Sequence, residues 1–151
     1  GDTLVIAGMG GPLMERILKD GAKVREGFQE LILQPQSDLP HFRHFLSEIG
    51  WEIVREEMIK EDGKFYPMMK AVRNNSGKKT VYTEEEAWFG PLLLEKRHPV
   101  LKEYLLREEM IRKKILAGLS GAESVSAKTR LAEVKEEMEL IHTALKRYES
   151  I

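Results

Sequence analysis

A glycine-rich turn follows an apolar run close to the start of the sequence. Residues 3–7 read Thr-Leu-Val-Ile-Ala, and residues 8–11 read Gly-Met-Gly-Gly. Dinucleotide-binding turns add a third glycine and an acidic residue about 20 positions further on. Leu13 stands where that glycine belongs, the next apolar run ends without an acid, and no Lys-Ser/Thr pair makes a P-loop. A nucleotide cradle is therefore disfavoured. A plain strand-to-helix turn and a backbone-lined ligand site both remain open.

A second polar turn, Gln-Pro-Gln at residues 34–36, follows the next apolar run. If both runs are parallel strands, the two turns lie at the same edge of the sheet, where open α/β sheets bind ligands. The paired donors and acceptors of a glutamine amide can read the edge of a base. The alternative, that these glutamines are surface turn residues, remains equally open.

Histidine spacing and local charge give two weaker signals. His41 and His44 have a helical i, i+3 spacing that suits a metal, but no third ligand is evident, so a solvated helix face is favoured and no metal is expected. Residues 93–114 hold seven Lys or Arg against four Glu, a balance that suits either a phosphate backbone or the exterior of a coiled coil.

Composition excludes several classes of protein. The 151 residues are 42% hydrophobic with a net charge of −1, which supports a packed core and argues against disorder or a global field for nucleic acid. There is no cysteine, so disulfides and thiol chemistry are excluded. No apolar run approaches the ~20 residues of a membrane span. We expect a cytoplasmic protein that does not contact a membrane.

The first region alternates strand and helix patterns. Strands are predicted at residues 3–7, buried on both faces, and 30–33; Asp-Gly at 62–63 predicts a hairpin of strands 51–61 and 64–73. Pro67 suggests a bulge or a late start to pairing in the last strand. One helix starts at Pro12, and a second, capped by Ser37 or Asp38, reaches residue 49. The apolar helix positions are Leu13, Ile17, Leu18 and Val24, then Phe42, Phe45, Leu46 and Ile49.

The second region has only helical patterns. Residues 74–79 are polar and mark the boundary, so we predict an α/β domain over residues 1–79 and a helical domain over 80–151. Thr83 and Glu86 form a capping box before a short helix that Gly-Pro at 90–91 breaks. A helix over residues 99–119 and a last helix with a heptad seam predict an antiparallel coiled-coil hairpin. The seam residues are Leu131, Val134, Met138, Ile141, Leu145 and Tyr148.

Four segments in this order resemble the carboxyl-terminal portion of the bacterial TrmK family, the tRNA (adenine(22)-N1)-methyltransferases. They are DTLVIAGMGG, LILQPQ, the DGKFY hairpin and WFGPLLLEKRHPVLKEYL. The resemblance implies a class I, S-adenosylmethionine-dependent Rossmann-like domain joined to a coiled-coil tail. It also implies methylation of N1 of an adenine in the D-arm region of tRNA.

The resemblance also assigns residues. The methyl-transfer site would be lined by Gly8, Met9, Gly10 and Gly11, with Gln34 and Tyr66 on the side of the target base. The methyl donor would contact Asp2, Ala7, Gly8 and Met9. From the basic segment 93–114, rather than from a family motif, we expect Lys96, Arg97, Lys102 and Arg107 to contact tRNA phosphates.

The family's donor-binding half has no counterpart in these residues. Of the usual sheet order 3-2-1-4-5-7-6, only strands 4-5-7-6 remain, the last antiparallel, so we predict a fragment of a longer enzyme that is inactive alone. Its first strand becomes a sheet edge that could drive self-association. The alternative function is a non-enzymatic RNA- or protein-binding module built on the coiled coil; a dehydrogenase half-domain is disfavoured.

Overall fold

A computed structural model describes residues 2–21 and 26–149. The chain divides into two compact units, residues 1–96 and 97–151. The elements of the first unit are β1 (Thr3–Met9), α1 (Gly11–Asp20), β2 (Glu30–Pro35), α2 (Leu39–Glu48), β3 (Trp51–Glu61), β4 (Lys64–Arg73), α3 (Glu84–Phe89) and α4 (Pro91–Glu95). Those of the second unit are α5 (Pro99–Leu119) and α6 (Val125–Lys146).

The four strands form one mixed sheet in the order β1-β2-β4-β3. β1 and β2 are parallel, and β4 runs antiparallel to both β2 and β3. This first–second–fourth–third order of neighbours is the one that the family resemblance implies. The fold is therefore α/β, with the carboxyl ends of β1 and β2 and the β3–β4 turn at one common edge.

Among the described residues, the core lies on one face of the sheet. Alternate strand residues such as Leu31, Leu33 and Met69 pack there against Phe42 and Leu46 of α2. On the opposite face the alternate positions are open. Val5 is 62% exposed, Ile32 37% and Ile59 43%. We call this second surface, which carries residues 5, 32, 59 and their alternating neighbours, the open face.

The prediction that the first strand is buried on both faces is wrong. Of its apolar side chains Ile6 is 7% exposed, whereas Val5 points to the open face. Within the described residues β1 has a pairing partner on one side only, so it is an edge strand, as expected. Both β1 and β2 extend further than predicted. β1 ends at Met9 and β2 ends at Pro35, so Gln34 lies inside β2.

The buried stripe of α1 differs by one residue from the predicted one. Met14 and Leu18 are buried, whereas Leu13 is 48% and Ile17 41% exposed. Both stripes have helical spacing, and the position of the sheet decides which of them is covered. Val24, also placed on this helix, lies outside the described residues.

The hairpin forms as the sequence predicts. Asp62 (φ 51°) and Gly63 (φ 76°) both have positive φ, as a two-residue type I′ turn requires. Pro67 sits opposite Met58 without a bulge there, and pairing of β4 with β2 extends only to Met69. The missing N–H of Pro67 therefore costs no hydrogen bond to β2, which matches the late start to pairing.

Helices α3 and α4 pack with the sheet, and the compact unit that contains them ends at residue 96. The capping box is present: the Glu86 N–H donates to the Thr83 hydroxyl (3.1 Å) and the Thr83 N–H donates to the Glu86 carboxylate (2.9 Å). Gly90, with φ 97°, separates the two short helices.

A buried ion pair joins these helices to the sheet. Arg43 of α2 and Glu56 of β3 are each 1% exposed and lie 3.1 Å apart. Arg43 also donates to the carbonyl of Ala87 (2.5 Å), and Glu56 accepts from the N–H of Leu92 (2.9 Å). A Cβ on Gly90 would lie 2.7 Å from the Glu56 carboxylate, so the glycine is needed for the approach.

The second unit is a pair of helices that pack on each other. Arg112 of α5 pairs with Glu137 of α6 (3.1 Å), and the Tyr148 hydroxyl donates to the His98 carbonyl (2.7 Å), so the helices run antiparallel. Leu101 and Leu105 are buried on α5. On α6 the buried residues are Val134, Met138, Ile141 and Ala144. Of the predicted seam, three members are thus buried and the outer three are half-buried.

Candidate methyl-transfer site

Two turns meet at the carboxyl ends of β1 and β2. The N–H of Gln36 donates to the carbonyl of Met9 (2.9 Å), and the N–H of Gly11 donates to the carbonyl of Ser37 (3.1 Å). The Ser37 hydroxyl accepts a longer bond from the same N–H (3.3 Å). The glycine turn and the loop after β2 therefore form one hydrogen-bonded surface, as expected for neighbouring parallel strands.

The glycines of this turn have different roles. A Cβ on Gly11 would overlap the Ser37 carbonyl, and one on Gly10 would lie 2.8 Å from the Ser37 hydroxyl, so these two permit the loops to pack. Gly8 has φ +77°, and no described atom lies within 4 Å of a Cβ placed there. Gly8 is thus the position where a flat ligand could reach the main chain.

The amino terminus of α1 is poorly suited to hold a phosphate. Helix amino termini bind anions through N–H groups that the helix leaves unpaired. Here the Gly11 N–H is bonded to Ser37, and Pro12 has no N–H. Leu13 alone is left in the first turn, which agrees with the sequence argument against a nucleotide cradle.

Asp38 is a feature of this edge that sequence reasoning missed. It is the N-cap residue of α2, where an aspartate side chain ordinarily accepts a bond from the first turn, yet no such bond is described. Its backbone is left-handed (φ 52°, ψ 42°), and the residue is exposed. Neither Ser37 nor Asp38 therefore caps the helix with its side chain as predicted. The sequence pattern placed the helix start at one of these two residues, but it could not reveal that the backbone of Asp38 has a positive φ.

The predicted base-side residues share the open face. Gln34 and Tyr66 are half-buried, and strand alternation puts Gln34 on the face of Ile32 and Tyr66 on that of Ile59. Continuing the β2–β4 register puts Pro67 level with the end of β2. The hairpin thus extends three residues further on each strand, about 10 Å past this edge.

The predicted donor contacts are not all at this edge. Ala7, Gly8 and Met9 lie at the carboxyl end of β1. Asp2 precedes the other end of the strand, where its carbonyl accepts from the N–H groups of Gln29 (2.8 Å) and Glu30 (3.1 Å). Five residue-to-residue steps along the strand, about 17 Å, separate Asp2 from Ala7.

At that opposite end an acidic side chain is held ionised. Glu30 accepts from the Thr3 hydroxyl (2.6 Å) and pairs with Lys70 (3.0 Å). These two partners lower the pKa of Glu30, the Thr3 hydrogen bond contributing most. The cluster is a surface interaction of the open face and is remote from the glycine turn.

Each predicted phosphate contact has a partner within the protein. Lys96 donates to the Glu56 carbonyl (2.7 Å) at the free edge of β3 and pairs with Glu57 (2.8 Å). In the helical unit, the Arg97 guanidinium donates to the Arg147 carbonyl (2.6 Å). Lys102 lies 6.0 Å from the centre of the Tyr148 ring, and Arg107 5.6 Å from that of Tyr104.

Tyrosines of the helical unit are held neutral. Burial raises the pKa of Tyr104 to about 12, with a smaller contribution from Glu108, and burial raises the pKa of Tyr148 to about 12. The rings thus offer cations their faces rather than a charge. The cations beside them, Lys102 and Arg107, are exposed and keep much of their surface available.

The two candidate metal-binding histidines have other neighbours. His41 contacts Glu15 (2.8 Å), and the His44 ring lies 6.1 Å from that of Tyr82. Over residues 2–21 and 26–149, no group of three or more metal-binding side chains comes together.

In the same part of the chain, no helix combines the length and apolarity needed to cross a bilayer.

The fold and this edge define an α/β protein of the Rossmann type. Two parallel strands deliver a glycine turn and a polar loop to one edge, and an antiparallel hairpin completes the sheet. The family described as TrmK, tRNA (adenine(22)-N(1))-methyltransferase, matches residues 1–143. The chain belongs to this family.

Individual relatives agree with this membership. A tRNA (adenine(22)-N(1))-methyltransferase of Bacillus subtilis is 29% identical over 143 residues, which are 93% of this chain and 60% of the relative. The structure of an uncharacterized protein from Listeria monocytogenes superposes with a TM-score of 0.88 at 32% identity, covering 95% of this chain and 63% of that one. A Streptococcus pneumoniae protein crystallised with S-adenosyl-L-methionine gives 0.80 at 26% identity, over 95% and 60%. The chain thus spans about 60% of the length of these relatives.

Proposed function

We propose that the protein containing this chain is an S-adenosylmethionine-dependent tRNA methyltransferase that modifies N1 of an adenine in the D-arm region. The family membership supports the reaction. The observation that carries the site is Gly8 at the carboxyl end of β1, where an added Cβ would have no described atom within 4 Å. A ligand bound there would lie beside the loop after β2.

The reaction makes modest demands on protein side chains. S-adenosylmethionine, when bound, supplies an electrophilic methyl group. N1 of neutral adenine carries a lone pair and no proton, so its attack needs no general base, and alignment of the two reactants can supply much of the rate. We assign contact with the donor to Ala7, Gly8 and Met9. Gln34 and Tyr66 would hold the base, while Gly10 and Gly11 keep the two loops together.

An apolar flank made of exposed side chains on β1 and α1 supports the view that this chain is the carboxyl-terminal part of a larger domain. The edge strand β1 exposes Val5, and α1 beside it exposes Leu13 and Ile17. Apolar groups on a strand edge and its neighbouring helix are typical of an interface. We propose that the segment preceding this strand in the longer relatives packs there, so that β1, β2, β3 and β4 are strands 4, 5, 6 and 7 of the complete sheet.

Two consequences follow for the isolated chain. With the donor-binding half absent, the 151 residues should neither bind S-adenosylmethionine tightly nor transfer methyl groups. Their uncovered flank could also pair with a second copy.

The helical hairpin, within the domain proposed over residues 80–151, would form a coiled coil that contacts tRNA phosphates in the cytoplasm, with exposed Lys102 and Arg107 as the best-placed cations.

The site can be tested with two matched glycines in the full-length gene product. Gly8 and Gly77 both have positive φ (77° and 79°) and no described atom near a new Cβ, so alanine strains the backbone similarly at each. We expect G8A to lower kcat for methyl transfer to tRNA at least tenfold and G77A to leave kcat unchanged. Equal kcat for the two variants would contradict the placement of the site at Gly8.

A parent protein that binds tRNA but transfers no methyl group would instead support the alternative, a non-enzymatic RNA-binding module.

A further inference from the structure

The backbone of Asp38 departs from what its position in the fold requires. An N-cap residue normally adopts extended dihedral angles, which bring its side-chain oxygen to an N–H of the first turn. The left-handed conformation of Asp38 prevents this, and residues other than glycine adopt it at a cost. Asp38 is therefore an exposed acidic residue at a position where a capping residue is expected. Residues in unfavourable backbone conformations concentrate at functional sites.

The Asp38 main chain is next to the glycine turn, and its exposed side chain belongs to the same loop. The preceding residue, Ser37, accepts the Gly11 N–H, and the Asp38 carbonyl lies 3.4 Å from where a Cβ of Gly11 would be. Asp38 thus belongs to the hydrogen-bonded surface made by the two turns. Gln36, which also belongs to it, has a neutral side chain, so Asp38 contributes the negative charge of the loop after β2.

Methylation at N1 changes the charge of the base. The N1 lone pair forms the new bond to the methyl carbon while the carbon–sulfur bond breaks and its electron pair stays on sulfur. The positive charge of the sulfonium is thereby transferred to the adenine ring, where it spreads over N1 and the exocyclic amine. A carboxylate beside that amine would stabilise the transition state more than the neutral substrate, which is the requirement for catalysis.

We infer that Asp38 is a catalytic and specificity-determining residue that accepts a hydrogen bond from the exocyclic amine of the target adenine and stabilises the charge that develops on the ring. This inference rests on the proposed function. It also accounts for selectivity, because guanine presents a carbonyl at the same position and would face the carboxylate with a second acceptor.

Kinetics of three variants of the full-length protein test the inference. D38N and D38G remove the charge, and both asparagine and glycine tolerate the left-handed backbone. D20N is the control, because Asp20 is exposed at the far end of α1. We expect D38N and D38G to lower kcat about 100-fold, with the KM for tRNA changed less than threefold and melting temperatures at or above that of the parent. D20N should behave as the parent.

A binding measurement needs no methyl donor and no turnover. Filter binding compares a tRNA that bears 1-methyladenine at the target position with the unmodified tRNA. The parent should prefer the cationic modified base by about tenfold, and D38N should lose this preference while binding the unmodified tRNA normally. A loop that Asp38 only shapes would leave the preference unchanged.

The outcomes distinguish a failure of the role of Asp38 from a failure of the proposed function. A parent that methylates tRNA while D38N keeps kcat within threefold, or keeps the preference for the modified base, overturns the role of Asp38 alone. A parent that neither methylates tRNA nor distinguishes the two tRNAs overturns the proposed function, and the role of Asp38 with it.

Discussion

Replacing Glu56 by glutamine should destabilise the sheet unit strongly. The substitution keeps the shape of the side chain and leaves the Arg43 guanidinium, 1% exposed, without its counter-charge. Removing one partner of a buried ion pair costs about 3–5 kcal/mol, because the remaining charge is neither solvated nor paired. An amide oxygen can still accept the Leu92 N–H, and Arg43 still reaches the Ala87 carbonyl, so we expect about 3 kcal/mol, the lower end of that range.

The neighbouring residue provides the control. Glu57 pairs with Lys96 at a similar distance (2.8 Å), but the two side chains are 38% and 40% exposed. Exposed pairs contribute at most about 1 kcal/mol. E57Q should therefore lower the free energy of unfolding by less than 1 kcal/mol.

Urea unfolding of the chain and both variants at pH 7, followed by circular dichroism, measures the difference. The loss in E56Q should also persist at high salt, because buried charges are screened far less than exposed ones. A loss in E56Q no larger than that in E57Q would refute the claim that the buried pair holds α3 and α4 on the sheet.

Three further predictions concern backbone and surface interactions. G90A should destabilise the protein by at least ~2 kcal/mol, because φ is +97° and the new Cβ meets a buried carboxylate, whereas G118A inside α5 should stabilise it by up to about 1 kcal/mol; thermal unfolding distinguishes the signs. T83A removes the capping hydroxyl of α3 and should cost about 1 kcal/mol in the same assay, a result that an unchanged unfolding curve would contradict. T3V should raise the pKa of Glu30 towards its usual value in an NMR titration. Because the folded-state pKa of Glu30 is lowered, its stabilising contribution is present above pH 4.5 and lost as the pH falls through the folded pKa, and T3V should reduce that acid-sensitive part.

Local signals predicted most of the elements. Asp62 and Gly63 identify the hairpin, and Thr83 with Glu86 identifies the start of α3, because in each case the residues that make the structure are adjacent or three positions apart. The order of the strands followed from the resemblance to a family. It could not have followed from local patterns, which do not determine which strands pair.

Interactions between distant residues were missed. Arg43 is on the apolar side of α2 but is charged, and its partners Glu56 and the Ala87 carbonyl, both distant in sequence, make its burial favourable. On α1, Leu13 and Met14 begin two apolar stripes of equal quality, so their burial depends on the sheet. The close approach of Ser37 to Gly11 gives this glycine a packing role that the sequence did not reveal.

The identity of the nucleoside that the full-length gene product makes is the most direct test of the account. The protein is incubated with S-adenosylmethionine and unmodified tRNA, and the digested nucleosides are separated and weighed by mass spectrometry. The proposed function requires 1-methyladenosine from the parent tRNA and none when the target adenine is replaced by guanine. A product methylated elsewhere, or tRNA returned unmodified by a folded protein, would contradict it.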